Sequence, residues 1–465
     1  MKLAMYSPMP PTRTGVAHYA SMLVPALRER VELEVIESDN RQPTTDNRIY
    51  QLGNNPHHEF AYRAAMQHPG VIVLHDIVLH HLIVEMTLAR GDVDGYVAAL
   101  QASHGEAGRA WARGRAAGLH SEMGNFLLPA SIDVANRSRA VIVHNRYAAG
   151  RLRSFGVRTP IHVVPHPYQP AGASSRRDEI RAKHGIAATD RIIGLFGFLT
   201  SAKRSEVVLE AFTKARAEMP NLRLLVVGEA APNIDTIAFG AEGITFTGFV
   251  PDEEFPAYFA AVDRLVNLRY PTAGETSGTL IRAFDAGKPV AVSDYAQFAE
   301  LPDDCVVKIP FGEAEFVSLA DFFFRYISDP SSAQRRWLEE NADIRKTVEG
   351  YWDACSAGLQ PADGGLKAAT TLPLFPKLEV VERTETSLTI RNIGEATLRA
   401  REYGQPGYRL IANGLWLDLP CDLAPGERAT LELPPDLRGM RLELMDGMQG
   451  VPLVEPEAWG RVAIH

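Results

Sequence analysis

Short apolar runs followed by amphipathic helical stretches recur along the first 360 residues, and this alternation limits the fold more than any other feature of the chain. Strands joined through helices lie parallel in a sheet that is covered on both faces. From Met1 to about Pro170, strands are expected at Lys2–Tyr6, Val31–Ile36, Val71–Leu74, Ala140–Val143 and Ile161–Val164. A helix is expected over His18–Arg28, with more helices between His80 and Arg137. A second series begins after a polar linker near Gly172–Arg177. Its expected strands are Ile192–Phe196, Leu222–Val227, Ile244–Phe246, Asp263–Asn267, Val290–Val292 and Val306–Ile309. Its expected helices are Ser205–Arg216, Glu253–Ala261, Ser277–Ala286 and Ala314–Ser328, and one long helix, Ala333–Leu359, is expected to bridge the two series. The fold class is therefore α/β, with two doubly wound Rossmann-like lobes and a cleft between them. Open parallel sheets bind ligands at the carboxyl ends of their strands, so both lobes are expected to face that cleft.

After Gly364 the pattern changes. Short alternating runs at Ser387–Ile390, Thr397–Ala400, Tyr408–Ile411, Ala429–Leu433 and Met440–Met445 are separated by turn clusters such as Gly404-Gln405-Pro406-Gly407. About ninety residues of this kind predict a small all-β sandwich. The expected domains are 1–170, 171–362 and 372–465.

A chain of 465 residues is too long for one core. Its net charge of -9, with no strongly basic stretch, argues against a nucleic-acid partner. No segment approaches the roughly 20 apolar residues that span a bilayer. Cys305, Cys355 and Cys421 are far apart, which suits a reducing compartment better than a disulfide scaffold. A cytoplasmic location is expected.

The most informative local segment is Asn267–Asp294, where a strand enters a loop of small residues and then an amphipathic helix. Free backbone N–H groups at a helix start favour an anion. Gly274, Ser277, Gly278 and Thr279 are therefore candidates to hold a phosphate, with Arg269 suited to the same group and Glu275 to a hydroxyl. The plainer reading is a tight strand-to-helix turn. Gly15-Val16 offers a similar close approach after the first strand, and Lys203 with its neighbour Arg204 lies between a strand and a helix. His75 and His144 each follow a strand, and Asp76 and Asn145 are placed to cap the helices beyond. The run HDIVLHH invites a metal, but its ligands would point in different directions, so no metal is expected.

These pieces, in order, resemble the GT-B glycosyltransferases, most closely those of glycosyltransferase family 4. The resemblance covers about residues 1–360 and rests on SPMPPTRTGVAHYASML, VIVLHD, VIVHNRYAAGRL, VVPHP, GLFGFLTSAKRSEVVLEAF, LRLLVVGE, ITFTGFVPDEE and the GETSG–AGKPV segment. It implies a nucleoside-diphosphate sugar on the second lobe, its diphosphate gripped by Lys203 and a cationic partner. It also implies phosphate and sugar contacts from Ser277, Gly278 and Thr279, closure of Gly15 and Val16 over the phosphates, and His75 beside the transferred sugar. Two departures stand out. The family's arginine five residues before the lysine is here Phe198, so Arg269 or Arg204 is the expected substitute. At the positions of the family's two glutamates stand Gly274 and Arg282; Glu275, one residue along, is expected to serve as the first acid, and Arg282 stands where the second would hold ribose hydroxyls.

The resemblance implies sugar transfer with retention of configuration to a glycan, lipid-linked or other hydroxyl acceptor, without a cofactor or metal, and a role in bacterial polysaccharide or glycoconjugate synthesis. His75, Lys203 and Glu275 are the expected catalytic residues. Peripheral contact with the inner membrane face is a further expectation, motivated by Arg109, Arg113 and Arg115 on one helix; a solvated face is the plainer reading. The last segment resembles the immunoglobulin-like modules of bacterial polysaccharide enzymes, suited to subunit pairing or glycan contact, with Trp416 expected in its core. The competing readings are a GT-B enzyme of another kind, such as a sugar epimerase, and a non-catalytic scaffold that binds nucleotide-sugar or glycan.

Overall fold

A computed structural model gives the architecture. It describes residues 1–119, 122–170, 174–231, 234, 240–312, 314–325 and 327–359. Beyond these it describes 378–384, 386–392, 408–412, 415–419, 421, 423, 426–433, 435, 443–446, 449–451 and 453–454. The chain divides into two compact units, Met1–Ala148 with Arg158–Gln360, and Ala149–Val157 with Pro361–His465.

The first lobe runs β1 (Lys2–Tyr6), α1 (Gly15–Arg28), β2 (Glu32–Ile36), β3 (Arg48–Leu52), α2 (Glu59–Gln67) and β4 (Val71–Leu74). It continues through α3 (His80–Met86), α4 (Val93–Ala116), α5 (Glu122–Leu127), α6 (Ile132–Arg137), β5 (Ala140–Val143), α7 (Arg146–Ser154) and β6 (Ile161–Val163). All six strands are parallel, in the order β2-β1-β3-β4-β5-β6. The expected strands are all present, and one more, β3, lies at the centre of the sheet. Its sequence RIYQL escapes a hydrophobicity pattern because Arg48 and Gln51 interrupt it, yet every residue is buried. Gln51 is fully buried because its side chain is satisfied: its amide nitrogen donates to Tyr351 Oη at 3.1 Å, and its oxygen lies 2.7 Å from His75 Nε2. Buried polar groups with partners are tolerated in a core.

The second lobe runs α8 (Arg177–Lys183), β7 (Arg191–Phe196), α9 (Ser205–Glu218), β8 (Leu222–Val227), β9 (Ile244–Phe246), α10 (Phe255–Ala261) and β10 (Arg264–Asn267). It ends with α11 (Gly278–Asp285), β11 (Val290–Ser293), β12 (Val307–Ile309), α12 (Glu315–Phe324) and α13 (Ser331–Asn341), followed by α14 (Ile344–Leu359). The sheet is parallel in the order β12-β11-β10-β7-β8-β9. Alternate residues of each strand enter different cores, as a period of two requires. Ile192, Phe196, Leu225, Val227 and Leu265 pack with α10, α11 and α13 residues. Ile193, Leu195, Leu224, Val226 and Val266 pack with residues of α9 and α12. Both faces are therefore covered.

The single helix expected over Ala333–Leu359 is instead α13 and α14, broken at Ala342-Asp343. Ala342 leaves helical geometry (φ -138°), its carbonyl accepts from Tyr168 N at 2.9 Å, and Asp343 Oδ1 accepts from Arg345 N at 2.8 Å, restarting the helix. A side-chain acceptor of this kind satisfies one of the orphan donors of a new helix. After the break α14 returns to the first lobe, where Val348, Tyr351, Ala354 and Cys355 join a core with β1, β4, β5 and α1.

From Leu378 onward, the named elements among the described residues of the C-terminal unit are β-strands. Its strands are β13 (Leu378–Arg383), β14 (Ser387–Asn392), β15 (Tyr408–Ala412), β16 (Leu415–Asp418), β17 (Arg428–Glu432), β18 (Glu443–Asp446), β19 (Gln449–Val451) and β20 (Leu453–Val454). They form two four-stranded sheets, β17-β14-β13-β20 and β16-β15-β18-β19, antiparallel except for the β13/β20 pair. The expected strand Thr397–Ala400 and the side chain of Trp416 lie outside the described residues.

Candidate functional site

A cleft of about 1340 Å³ lies between the two sheets, lined from both lobes. The lobes meet around it through polar contacts. Ile77 N donates to Ala273 O at 2.8 Å, and Asn145 Nδ2 donates to Gly274 O at 2.9 Å. His18 Nδ1 lies 3.4 Å from Asp252 Oδ2, and Arg13 approaches Glu229 at 4.0 Å while its guanidinium sits 4.1 Å above the Phe249 ring. Gly274 is required at its junction, since its φ is +76° and a Cβ there would come within 2.9 Å of Ile77 Cγ1.

Two helix starts open onto this cleft. On the first lobe α1 begins at Gly15, one residue earlier in the loop than Val16, and both line the cleft. Thr14 caps the helix by accepting from Ala17 N at 3.0 Å, and a Cβ at Gly15 would meet open space. On the second lobe Ser277 caps α11, accepting from Leu280 N at 3.3 Å, and is itself held by Asn267 Nδ2 at 3.1 Å. Gly278 and Thr279 follow and line the cleft. Helix geometry leaves their N–H groups without an intrahelical acceptor, at the positive end of the dipole.

Lys203 is buried immediately behind this wall. Its ammonium donates to the Phe196 carbonyl and occupies the space that a side chain at Gly197 would need, 2.8 Å from that Cβ position. Gly197 has φ +88°, so both its conformation and its missing side chain admit the lysine. Burial pushes the Lys203 ammonium well below its ordinary pKa, Arg269 adds to the shift, and Glu275 opposes it. An anion arriving at Gly197 and Thr279 would relieve that strain on the charged form.

The other expected site residues divide. Glu275 lines the cleft and accepts from Thr272 Oγ1 and Ala273 N, each at 3.0 Å. Arg269 lies behind it as a largely buried ion pair, Nε to Oε1 2.7 Å, although its N–H is not aligned for a hydrogen bond. Arg282 lines the cleft, with both terminal nitrogens 3.3 Å from Asp252 Oδ1 and the guanidinium over Phe255. Arg204 is a correction: it does not line the cleft. Its guanidinium pairs with Glu315 and lies over Phe311 and Tyr270, because its backbone is left-handed (φ +57°) and turns the side chain away. Phe198 lines the cleft and remains exposed there.

His75 sits at the cleft floor, edge-on to Tyr19 at 4.5 Å, and burial holds its imidazole well below the ordinary pKa. Asp76 does not cap α3, contrary to expectation; the helix starts four residues later. Asn54 Oδ1 accepts from His81 N and Leu82 N instead, while Asp76 Oδ2 accepts from Asn54 N at 2.8 Å. Burial and nearby Glu275 raise the Asp76 carboxyl to about 7. Asn145 is the expected cap, accepting from Ala148 N at 2.7 Å. His80, from the histidine-rich run, turns away into the lobe, with Nε2 2.6 Å from Tyr96 Oη and Nδ1 2.6 Å from Leu128 O.

Sequence reasoning missed Asp252, His18 and His166, all of which line the cleft. Asp252 and His18 carry no local signal, since their pairing joins residues 234 positions apart across the lobes. His166 had one: VIVLH, VIVH and VVPH end neighbouring strands in the same way.

Residues 190–321 match the family model described as glycosyl transferases group 1. The 2-deoxystreptamine glucosyltransferase of Streptomyces kanamyceticus is 26% identical over 249 residues, or 50% of this chain and 59% of that protein. The matched region thus spans about three-fifths of the relative's length. Similar solved structures include the Anabaena protein Alr3699/HepE in complex with UDP-glucose, with a TM-score of 0.54, 16% identity and coverage of 77% of this chain and 100% of that one. The same protein in complex with UDP and glucose gives a TM-score of 0.53 at 15% identity, with the same coverage. The chain has the GT-B glycosyltransferase fold, and the group 1 glycosyl transferase match falls on its second lobe.

Proposed function

We propose that the protein is a retaining glycosyltransferase that moves a sugar from a nucleoside diphosphate to a hydroxyl acceptor. The observation that carries this reading is the convergence of two helix starts, Gly15-Val16 and Gly278-Thr279, from opposite lobes onto one cleft with the Lys203 ammonium behind it. The arrangement suits a diphosphate, which needs donors and positive charge on more than one side. HepE has been solved in complex with UDP and with UDP-glucose, which agrees with a donor of this class.

In a front-face transfer the departing diphosphate accepts the proton of the incoming hydroxyl, so the protein contributes position and charge more than a strong base. Lys203 and the Gly278 and Thr279 amides stabilise the charge that develops on the leaving group. Glu275, fixed by Thr272 and Ala273, orients sugar hydroxyls, and His75 stands beside the transferred sugar. Arg282, held by Asp252, faces the ribose. Helix-start amides and a lysine supply the positive charge, so the reaction proceeds without a metal in this proposal. We also read the C-terminal unit as an immunoglobulin-like accessory module, in keeping with the alternating burial along β14.

The test is nucleotide release from a panel of UDP-, GDP- and ADP-sugars by the intact protein. Release that requires Lys203 supports the reading. Tight binding of a donor with no release under any acceptor would leave a binding scaffold instead.

A further inference from the structure

Three neighbouring strands of the first lobe, β4, β5 and β6, lead into His75, His144 and His166 at their carboxyl ends, and all three histidines line the cleft. Their rings surround Tyr19, at centroid distances of 4.5, 5.1 and 5.0 Å, and stand 5.1 Å (His75 to His144) and 5.6 Å (His144 to His166) apart. Each ring is oriented by one protein oxygen: His75 Nε2 by Gln51 Oε1 at 2.7 Å, His144 Nδ1 by Val164 O at 2.9 Å, and His166 Nδ1 by Pro167 O at 2.9 Å. A carbonyl oxygen can only accept, so each of these nitrogens carries the ring's proton. The second nitrogens, His75 Nδ1, His144 Nε2 and His166 Nε2, are then lone-pair acceptors, and none has a protein hydrogen bond among the described residues; His144 Nε2 is shut off from the cleft by burial, which leaves His75 Nδ1 and His166 Nε2 to meet a ligand.

We propose that the His75, His144 and His166 cluster forms the subsite for the acceptor substrate, with His75 Nδ1 and His166 Nε2 receiving hydrogen bonds from the hydroxyl or amino groups of a polyol, His144 packed between them, and carboxylate or phosphate groups rejected there. The proposal rests on the transferase reading, which it deepens by naming the acceptor's chemical class. A carboxylate or phosphate entering this floor would meet the two reachable lone pairs, and no N–H of the three rings is left to donate to it. The groups around it reinforce the preference. Asp76 follows His75 and adds a carboxyl, Arg282 is engaged by Asp252, and His18 faces the same Asp252. Burial keeps the imidazoles neutral near pH 7: His144 is pushed down to about 4 and His166 to about 3, while His75 is shifted in the same direction.

The experiment has two arms. In the first, nucleotide release from the best donor is measured with methyl glucoside and myo-inositol, with glucosamine, and with glucuronate and glucose 6-phosphate as acceptors. The hydroxyl-only or the amino polyols should accelerate release, which separates the two sources of donors, and the acidic sugars should not. His166→Phe should raise the acceptor KM roughly three- to tenfold, as loss of a hydrogen bond does, while nucleoside-diphosphate affinity stays within twofold. That unchanged affinity also reports an intact fold. A preference for glucuronate or glucose 6-phosphate, or a change confined to nucleotide affinity, overturns the proposal.

The second arm reads the imidazoles directly by 15N NMR at pH 7 and needs no turnover. His144 and His166 should be protonated at Nδ1 and His75 at Nε2, with methyl glucoside or glucosamine perturbing His75 Nδ1 and His166 Nε2. Charged rings or the reverse tautomers overturn the subsite. If the protein binds no nucleoside diphosphate yet shows these tautomers and perturbations, the transferase reading falls, the assignment to an acceptor falls with it, and only polyol binding at the histidines stands.

Discussion

In the first lobe β4, β5 and β6 run out into histidines with one ring nitrogen each unpartnered among the described residues; in the second lobe β7 and β10 run out into glycine, a buried lysine and the start of a helix. The sheets behind them are alike, six parallel strands with helices, and the identities of a few residues past each strand end give the two walls opposite character. One wall offers donors and positive charge, the other acceptors. A shared scaffold therefore sets where a ligand can sit, and the side chains at the strand ends set which ligand it can be.

The largest expected effect comes from removing the charge behind the second wall. Lys203→Ala should lower nucleotide release at least about a hundredfold, consistent with the loss of transition-state charge stabilisation. His81→Ala, on the exposed face of α3, should leave it unchanged. Equal rates in the two variants would erase the distinction between the walls.

Arg204→Ala sharpens the boundary of that wall. Glu315 is buried and Arg204 is its ion-pair partner, so removing the arginine strands a charge, at a cost of about 3 kcal/mol. Thermal unfolding should shift downward while nucleoside-diphosphate affinity holds. A loss of affinity without a loss of stability would return Arg204 to the cleft.

Acid should divide the lobes. His58, His80, His104 and His144 are each pushed down to about 4 by burial, all in the first lobe. Their folded pKa values lie below the unfolded value near 6.5, so their contribution to stability is present above pH 6.5 and is lost as the pH falls towards 4. Each unit of depression corresponds to about 1.4 kcal/mol at most. In the second lobe His184 alone shows such a shift among the described residues. Hydrogen exchange between pH 7 and 5 should show protection falling first in β3–β6. Parallel loss in β7–β11 would break the asymmetry.

Asp76 has the opposite sign. Its folded pKa of about 7 exceeds the unfolded 3.8, so the neutral form favours the fold at low pH and that advantage disappears as the pH rises through 7. Asp76→Asn keeps an acceptor for Asn54 N and should raise the melting temperature by a few degrees at pH 8, with little change at pH 4. A lower melting temperature at pH 8 would show that the carboxylate is needed there.

Much of the fold was legible because parallel strands buried on both faces are written as plain apolar runs, as in VIVL and AVIV. β3 was not, since Gln51 sits among apolar neighbours only because Tyr351 and His75, distant in sequence, satisfy it. The break at Ala342-Asp343 was hidden for a related reason: the carbonyl it frees is taken by Tyr168, from another segment. At the site, Ser277, Gly278 and Thr279 were readable from a local cap and turn, and Lys203 from its place between strand and helix. Arg204 was misread because its direction depends on a left-handed backbone and on Glu315, 111 residues away. Local chemistry was visible, whereas pairings that close only in three dimensions were not.

The proposed activity requires that this cleft hold a nucleoside diphosphate against Lys203. Calorimetric titration of UDP, GDP and ADP into the intact protein and into Lys203→Met, with folding of both checked by thermal unfolding, tests it most directly. The predicted result is one saturable site for at least one of the three, weakened tenfold or more in the folded variant. Equal affinity in the two folded proteins, or no binding of any nucleoside diphosphate by the unaltered chain, would contradict it.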